Sequence, residues 1–267
     1  MTQTPPKRLH IVEGSVWKDA VIALLEPASP YRPWRYSFEE VSPGDLVAVI
    51  LGTDPISILT ECADVGNDGR LGTAVRGVRW DRAHVVDLTT FAAMLGLGHS
   101  MTTEWTLDGD AAVQTRRALT GLRCGGREVR FGHTSMAEAR VLLHSGGNCQ
   151  GCDREIDLSR PDARDEVFVH TVDAYRRPAP RRSSLTAEAD WPVVLCRGCH
   201  LHMQDGGYRS FVDFRLDKNP SCPQCGGRRS LSTFYGMPAG DIPPWRHAGG
   251  CCVSEERWYC DLCGYQW

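Results

Sequence analysis

The sequence predicts an α+β protein in three parts. Residues 1–132 read as a mixed domain with a curled or barrel-like sheet, 133–215 as a small strand-and-helix module, and 216–267 as a short ribbon. Three observations lead there. Ahead of residue 132, apolar runs of strand length alternate with stretches of helical spacing. Eight of the 12 cysteines stand in four Cys-X-X-Cys pairs, Cys149/Cys152, Cys196/Cys199, Cys222/Cys225 and Cys260/Cys263. The apolar fraction of 42% in 267 residues is enough for a true core and suits two or three domains.

In the first part, residues 18–26 and 89–96 have helical apolar spacing. Leu46–Leu51 is an unbroken apolar run led in by the turn Ser42–Asp45, and Ile56–Cys62 alternates as a second strand before a turn at Val65–Gly69. Thr73–Trp80 alternates Val75, Val78 and Trp80 with arginines, and Val85–Leu88 is another short strand. From Thr115 to Arg130 the chain turns basic, with Arg116, Arg117, Arg123, Arg127 and Arg130 against Glu128 alone. Ser135–His144 reads as a helix with Ser135 as N-cap and Glu138 three residues later, closed by Gly146 and Gly147. This is the expected join between the first two parts.

The formal charge of -3 does not advertise a polyanion partner, so any nucleic-acid contact must come from local basic surface. The stretch Arg176–Arg182 is such a surface. Its prolines prevent a helix, which makes it an exposed loop. The N-terminal residues lack the charged-then-apolar layout of a secretion signal, and no segment reaches ~18 unbroken apolar residues. With thiols arranged as clips rather than as a disulfide framework, the expected location is cytoplasmic and no membrane partner is expected.

Two residues between cysteines let both thiolates of one turn reach a single tetrahedral zinc ion. Taken in order, the first two pairs make one four-thiolate site and the last two another, so two structural Zn2+ are expected. The C-terminal knuckles, Ser221–Gly227 and Trp258–Tyr265, each carry a glycine after the second cysteine, as in a zinc ribbon. Such a ribbon serves as a small-domain staple or as a contact surface, and Trp258, Tyr259, Tyr265 and Trp267 serve as its core or as a stacking platform. Cys251 and Cys252 lie between the knuckles and either replace a ligand or stay free.

The first clip pair brackets a strand, Val167–Val172, and the second is followed at once by His200 in Val193–His202. In this order residues 149–207 resemble the HNH endonuclease family. The resemblance implies a ββα-metal site, in which a divalent ion (Mg2+, Mn2+, Co2+ or Ni2+) is held by the first motif residue and the last histidine, a general base activates water, and a middle Asn orients the base. His200 matches the last histidine. His170 matches the paired Asp/His motif in one of two registers. Either His170 takes the metal position and Thr171 replaces the base, or His170 is the base and Val169 stands where a ligand belongs. Trp191 stands near the place of the middle Asn, with Asp190 beside it. Asp173, Asp190 and His202 are candidates for what is missing. The same resemblance makes Arg176, Arg177, Arg181 and Arg182 phosphate-contacting candidates. On residue type alone, His170 also fits an ordinary hydrogen-bonded core histidine and His200 an alternative zinc ligand.

Trp34–Phe38 leading to Pro43–Val49, with its Pro-Gly-Asp turn, looks like the EVE/ASCH branch of the PUA-like superfamily. The resemblance implies a β-barrel with a pocket for a flipped, modified base, with aromatic walls and a polar contact to the Watson–Crick edge. Trp17, Tyr31, Trp34 and Tyr36 are the candidate walls, and Arg35, Thr53 and Asp54 the polar contacts; aromatic residues near a domain's start are more often core than cage. Together the two resemblances imply a modification-dependent restriction endonuclease acting on double-stranded DNA that carries 5-methylcytosine or 5-hydroxymethylcytosine. A symmetric double-strand break would need two sites and hence a homodimer. The alternatives are a non-catalytic modified-DNA-binding protein with a degenerate HNH module, and RNA in place of DNA.

Overall fold

The computed structural model describes residues 8–26, 28–34, 41–65, 83–95, 105–122, 131–173, 190–238 and 242–267. Its first part is built on a crossover. Strand β1 (Arg8–Gly14) runs into helix α1 (Trp17–Leu25) and then into β2 (Leu46–Leu51), which lies parallel to β1 in register from Leu9↔Leu46 to Gly14↔Leu51. β3 (Ser57–Leu59) and β4 (Ala63–Asp64) return antiparallel to β2, and β5 (Val85–Asp87) adds beyond β3. Helix α2 (Leu88–Met94), strand β6 (Trp105–Asp108, antiparallel to β1) and helix α3 (Gly109–Gly121) complete it. The strand order is β5-β3-β2-β1-β6, with β4 off this path, and the sheet does not close among the described residues.

All six residues of β2 are buried, and the two-residue period of a strand divides them between two cores. Leu46, Ala48 and Ile50 join Leu9, Ile11 and Ile58 beneath α2 and α3. Val47, Val49 and Leu51 face the other way, into a core that contains α1 and continues without a break through the rest of the molecule. The unbroken apolar run at 46–51 is therefore the mark of a strand covered on both faces. The expected strand at Thr73–Trp80 lies outside the described residues.

Helix α4 (Ser135–Ser145) packs against α1 and carries the chain into the second part. Its N-cap is Thr134, whose hydroxyl accepts from the Ala137 amide at 3.2 Å, and not Ser135 as the spacing to Glu138 implied. The Ser135 hydroxyl instead accepts from the Asp54 amide at 2.6 Å. Gly146, at φ 59°, ends the helix in the left-handed conformation that suits glycine. After α5 (Ala163–Glu166), strands β7 (Val167–His170) and β8 (Val193–Cys196) pair antiparallel, from Val167↔Cys196 to His170↔Val193. Helices α6 (Arg197–Asp205) and α7 (Phe211–Asp217) follow, so β7, β8 and α6 form a ββα unit. The last part is a three-stranded sheet of β9 (Ser230–Phe234), β10 (Arg246–Ala248) and β11 (Trp258–Cys260) in the order β10-β9-β11.

The three parts share one core, reaching from Val12 and Val49 through Leu142 and Val194 to Phe211, Trp245 and Tyr259. Polar contacts lock the same seams. Lys18 Nζ donates to the Val167 carbonyl at 2.7 Å, and Arg140 Nε to the Val85 carbonyl at 2.8 Å. The Tyr31 hydroxyl donates to the Pro161 carbonyl at 2.9 Å and accepts from the Arg164 amide at 3.1 Å. No helix among the described residues is long and apolar enough to cross a membrane.

Entry of the chain into β2 depends on one buried ion pair. The Ser42–Asp45 turn closes through Asp45 N donating to Ser42 O at 3.0 Å, with Gly44 at φ 90°. Asp45 and His10 are both fully buried, and Asp45 Oδ2 lies 3.0 Å from His10 Nε2, 2.9 Å from the Ser42 amide and 3.2 Å from Arg8 Nε. Burial alone would raise the Asp45 carboxyl, but the Ser42 amide, His10 and Arg8 together hold it below the ordinary range. Asp45→Ala should therefore cost about 3 kcal/mol in urea unfolding, because it leaves buried donors without their acceptor. A carboxyl depressed on folding contributes stability above its unfolded value of about 3.9 and loses it as pH falls further. Part of the parent's acid-induced loss of stability below about pH 4 should be missing from Asp45→Asn.

Candidate active site and its cysteine clusters

Each pair of clips gathers its four sulfurs within 4.8 Å of one another, one cluster from Cys149, Cys152, Cys196 and Cys199 and the other from Cys222, Cys225, Cys260 and Cys263. In the second cluster Cys222–Cys263 and Cys225–Cys260 are 3.7 and 3.6 Å apart. Zn–S bonds of about 2.3 Å in a tetrahedron imply sulfur separations of about 3.8 Å, so these sets can hold zinc. Cys251 and Cys252 are exposed and belong to neither set.

The first cluster ties the 149–152 knuckle to the junction of β8 and α6. Cys149 is fully buried and its sulfur accepts from the Cys196 amide at 3.2 Å. At Gly151 a Cβ would lie 2.8 Å from Cys199 Cβ and 2.9 Å from its sulfur, so only glycine lets the knuckle close. Burial pushes the Cys149 and Cys199 thiols up. A cation held by this set would draw off these protons and leave a negative surplus on the thiolates. Helix α7 answers with two cations at its C-terminal end. Lys218 Nζ lies 4.0 Å from Cys199 Sγ and donates to the Gly151 carbonyl at 3.0 Å, and Arg215 Nη1 donates to the same carbonyl at 3.2 Å. In the second cluster burial would raise the Cys222 thiol, but the Cys225 and Gln224 amides hold it down at about 7.

His200, the residue after Cys199, is placed by that cluster. Its ring stacks on Phe168 of β7 at 4.1 Å between centroids and 8° between planes. Phe168 and His170 are two apart on the strand and share one face, so His170 is brought toward the same helix. Burial and the neighbouring His170 push the His200 ring below its ordinary value, which keeps it neutral near pH 7 and able to donate a lone pair. His170 Nε2 lies 2.8 Å from Asp190 Oδ2. Asp190 is itself fixed, because its Oδ1 accepts from the Trp191 and Phe211 amides, each at 2.8 Å. Trp191 is buried, edge-on to Phe131 and to Trp245. Of the pair near the middle position, it is Asp190 that reaches His170.

Thr171 meets a histidine that sequence reasoning passed over. His133 Nδ1 is 2.7 Å from Thr171 Oγ1, and His133 Nε2 is 2.8 Å from Asp173 Oδ1. The Gly132 amide donates to the Val172 carbonyl at 2.7 Å, so residues 131–133 run beside the end of β7. The only signal for this in the sequence was a histidine one residue ahead of a helix N-cap. His202 lies on α6 with its ring edge-on to Phe214.

Among the base-contact candidates, Trp17, Tyr31 and Trp34 are partly buried against the shared core, and the Tyr31 hydroxyl is taken up by Pro161 and Arg164. Thr53 is buried, donating to the Pro55 carbonyl at 2.6 Å and sharing a 2.7 Å bond with Ser57. Asp54 is held by its backbone against Ser135 and Met136. Arg35, Tyr36, Arg176, Arg177, Arg181 and Arg182 lie outside the described residues.

Metal analysis of the purified protein should give two zinc ions per chain, unchanged in the Cys251→Ser/Cys252→Ser double variant. Cys149→Ser should lower that to one, and Lys218→Met should weaken retention of one ion against a chelator by about 10-fold. Comparison of the chain with protein-family models, with curated proteins and with solved structures gives no match.

Proposed function

We propose that the chain is a metal-dependent DNA endonuclease whose ββα unit hydrolyses phosphodiesters in DNA carrying 5-methylcytosine or 5-hydroxymethylcytosine. The observation that carries this is the convergence of His170, Asp190 and His200 on one unit, each imposed by a different constraint. Asp190 accepts the Nε2 proton of His170, which leaves the lone pair on Nδ1, the arrangement by which a second-sphere carboxylate prepares a histidine for a metal. His200 is held neutral and rigid on Phe168. These two rings fit the donor set of a divalent ion of the Mn2+, Co2+ or Ni2+ kind, and Mg2+ is the harder alternative. When bound, the ion would supply Lewis-acid stabilisation of the charge that develops on the phosphorus oxygens. The cysteine clusters act only as staples.

Recognition of the modified base is assigned to the N-terminal part, on its resemblance to EVE/ASCH domains. A PUA-like barrel there needs closure by residues outside those described. The placement of Tyr31 and Trp34 against the shared core supports a further role for them, joining reader to cutter. A second reading, a modified-DNA-binding protein without turnover, draws on Trp191. A buried indole at the middle position has no carbonyl with which to orient a base.

Plasmid that is unmodified, methylated or hydroxymethylated at cytosine, incubated with each of the four metals, separates the two readings. Cleavage confined to modified DNA is the expected result, abolished in His200→Ala and His170→Ala. Asp190→Asn should lose about 10- to 100-fold, the usual cost of removing a carboxylate behind a ligating histidine. Selective binding with no cutting under any metal would favour the second reading, and cutting by His200→Ala at the parental rate would end the first.

A further inference from the structure

We infer that Thr171, His133 and Asp173 form a proton relay that takes the proton from the water attacking the phosphodiester. This rests on the endonuclease reading and adds to it a base drawn partly from outside the ββα unit. His170 commits Nε2 to Asp190, and His200 is covered on one face by Phe168. If both rings donate their remaining lone pairs to an ion, neither can also deprotonate water. Thr171, the residue after His170, cannot serve alone because a threonine hydroxyl is far too weak a base.

Its partner changes that. Asp173 lies 2.8 Å from His133 Nε2, and a carboxylate there fixes the proton on that nitrogen. Nδ1 then carries the lone pair, and the Thr171 hydroxyl, 2.7 Å away, must be the donor to it. The threonine oxygen keeps its own lone pairs for a water molecule. The order hydroxyl, imidazole, carboxylate is that of a nucleophile-activating relay, here brought together from two separate segments. Both sides of the arrangement are pinned. Gly132 N is bonded to Val172 O, and Ser135, two residues past His133, holds the Asp54 amide. Among the described residues, Asp173 and, from the first turn of α4, Glu138 are the acidic groups near His133.

Water gives a proton to Thr171 Oγ1 as the Thr171 proton passes to His133 Nδ1, and the water oxygen bonds to phosphorus. The phosphorus–oxygen bond to the leaving nucleoside breaks, and that oxygen takes a proton from solvent. His133 later returns its extra proton to solvent.

The test uses the full-length, zinc-loaded protein and modified plasmid, comparing the parent with His133→Ala, Thr171→Val and Thr171→Ser. His133 and Asp173 side chains are 57% and 86% exposed, so zinc content and circular dichroism should match the parent. His133→Ala should cut about 100-fold more slowly, lose the acidic limb of the pH–rate profile, and regain activity with added imidazole. Thr171→Val should be impaired likewise and Thr171→Ser should keep most of the rate. Should His133→Ala fail to fold, the Val/Ser contrast at Thr171 decides. Cutting by His133→Ala at the parental rate, or a loss that imidazole does not restore and that leaves the pH profile unchanged, overturns the relay alone. A parent that hydrolyses none of the plasmids with any of the metals overturns the relay together with the endonuclease reading.

Discussion

The fixed point of the molecule is the joint that Cys149, Cys152, Cys196 and Cys199 make between a knuckle and the β8–α6 junction. The unit it organises shares its core with the parts on either side, and the joint fixes how its strands and helix meet. With the joint closed, β8 sets the register of β7, and α6 begins at a defined point against the hairpin. His200 inherits its position from the cysteine before it, and Phe168 and His170 inherit theirs from the strand pairing. Phe168, His170 and His200 thus come from regular elements, while Asp190 is held from the segment before β8 by the Trp191 and Phe211 amides.

Charge follows the same logic. Cysteine thiols in an apolar setting resist ionisation, and four of them around a cation overshoot neutrality. Lys218 and Arg215 stand at the end of α7, where carbonyl dipoles also welcome positive charge. The buried Asp45–His10–Arg8 group is a second case, where one carboxylate organises a turn, a strand end and an arginine. In both places an ionic cost is offset by using each charged atom several times.

The two clusters and β7 were legible because cysteine spacing and a short β-branched run are local signals. Leu46–Leu51 was legible as a buried strand, but not as a parallel one. Its partner β1 lies across a helix, and an apolar run carries no record of direction. Thr134 took the cap from Ser135 because the Ser135 hydroxyl is claimed by Asp54, a contact 81 residues away. His133 was invisible for the same reason: nothing near it in sequence names Thr171 or Asp173 as its partner. Tyr31 and Trp34 were read as pocket walls or as core, and in the described structure they pack, partly buried, against the shared core. Residue type cannot separate these uses, because both need a large flat surface with a polar edge.

Trp245 ties the last part of the chain to the surroundings of Asp190. It belongs to the ribbon, yet it packs against Trp191 and Phe211, whose backbone amides are the two that hold Asp190. During synthesis the chain leaves the ribosome from its N-terminus. Helix α4, both clips of the first cluster and all three histidines of the site have therefore emerged before Trp245 does. Until then the two residues that grip Asp190 lack their cover. The support around Asp190 is thus completed last in the order of translation, and a nascent chain passes through a stage that has these residues without their final packing.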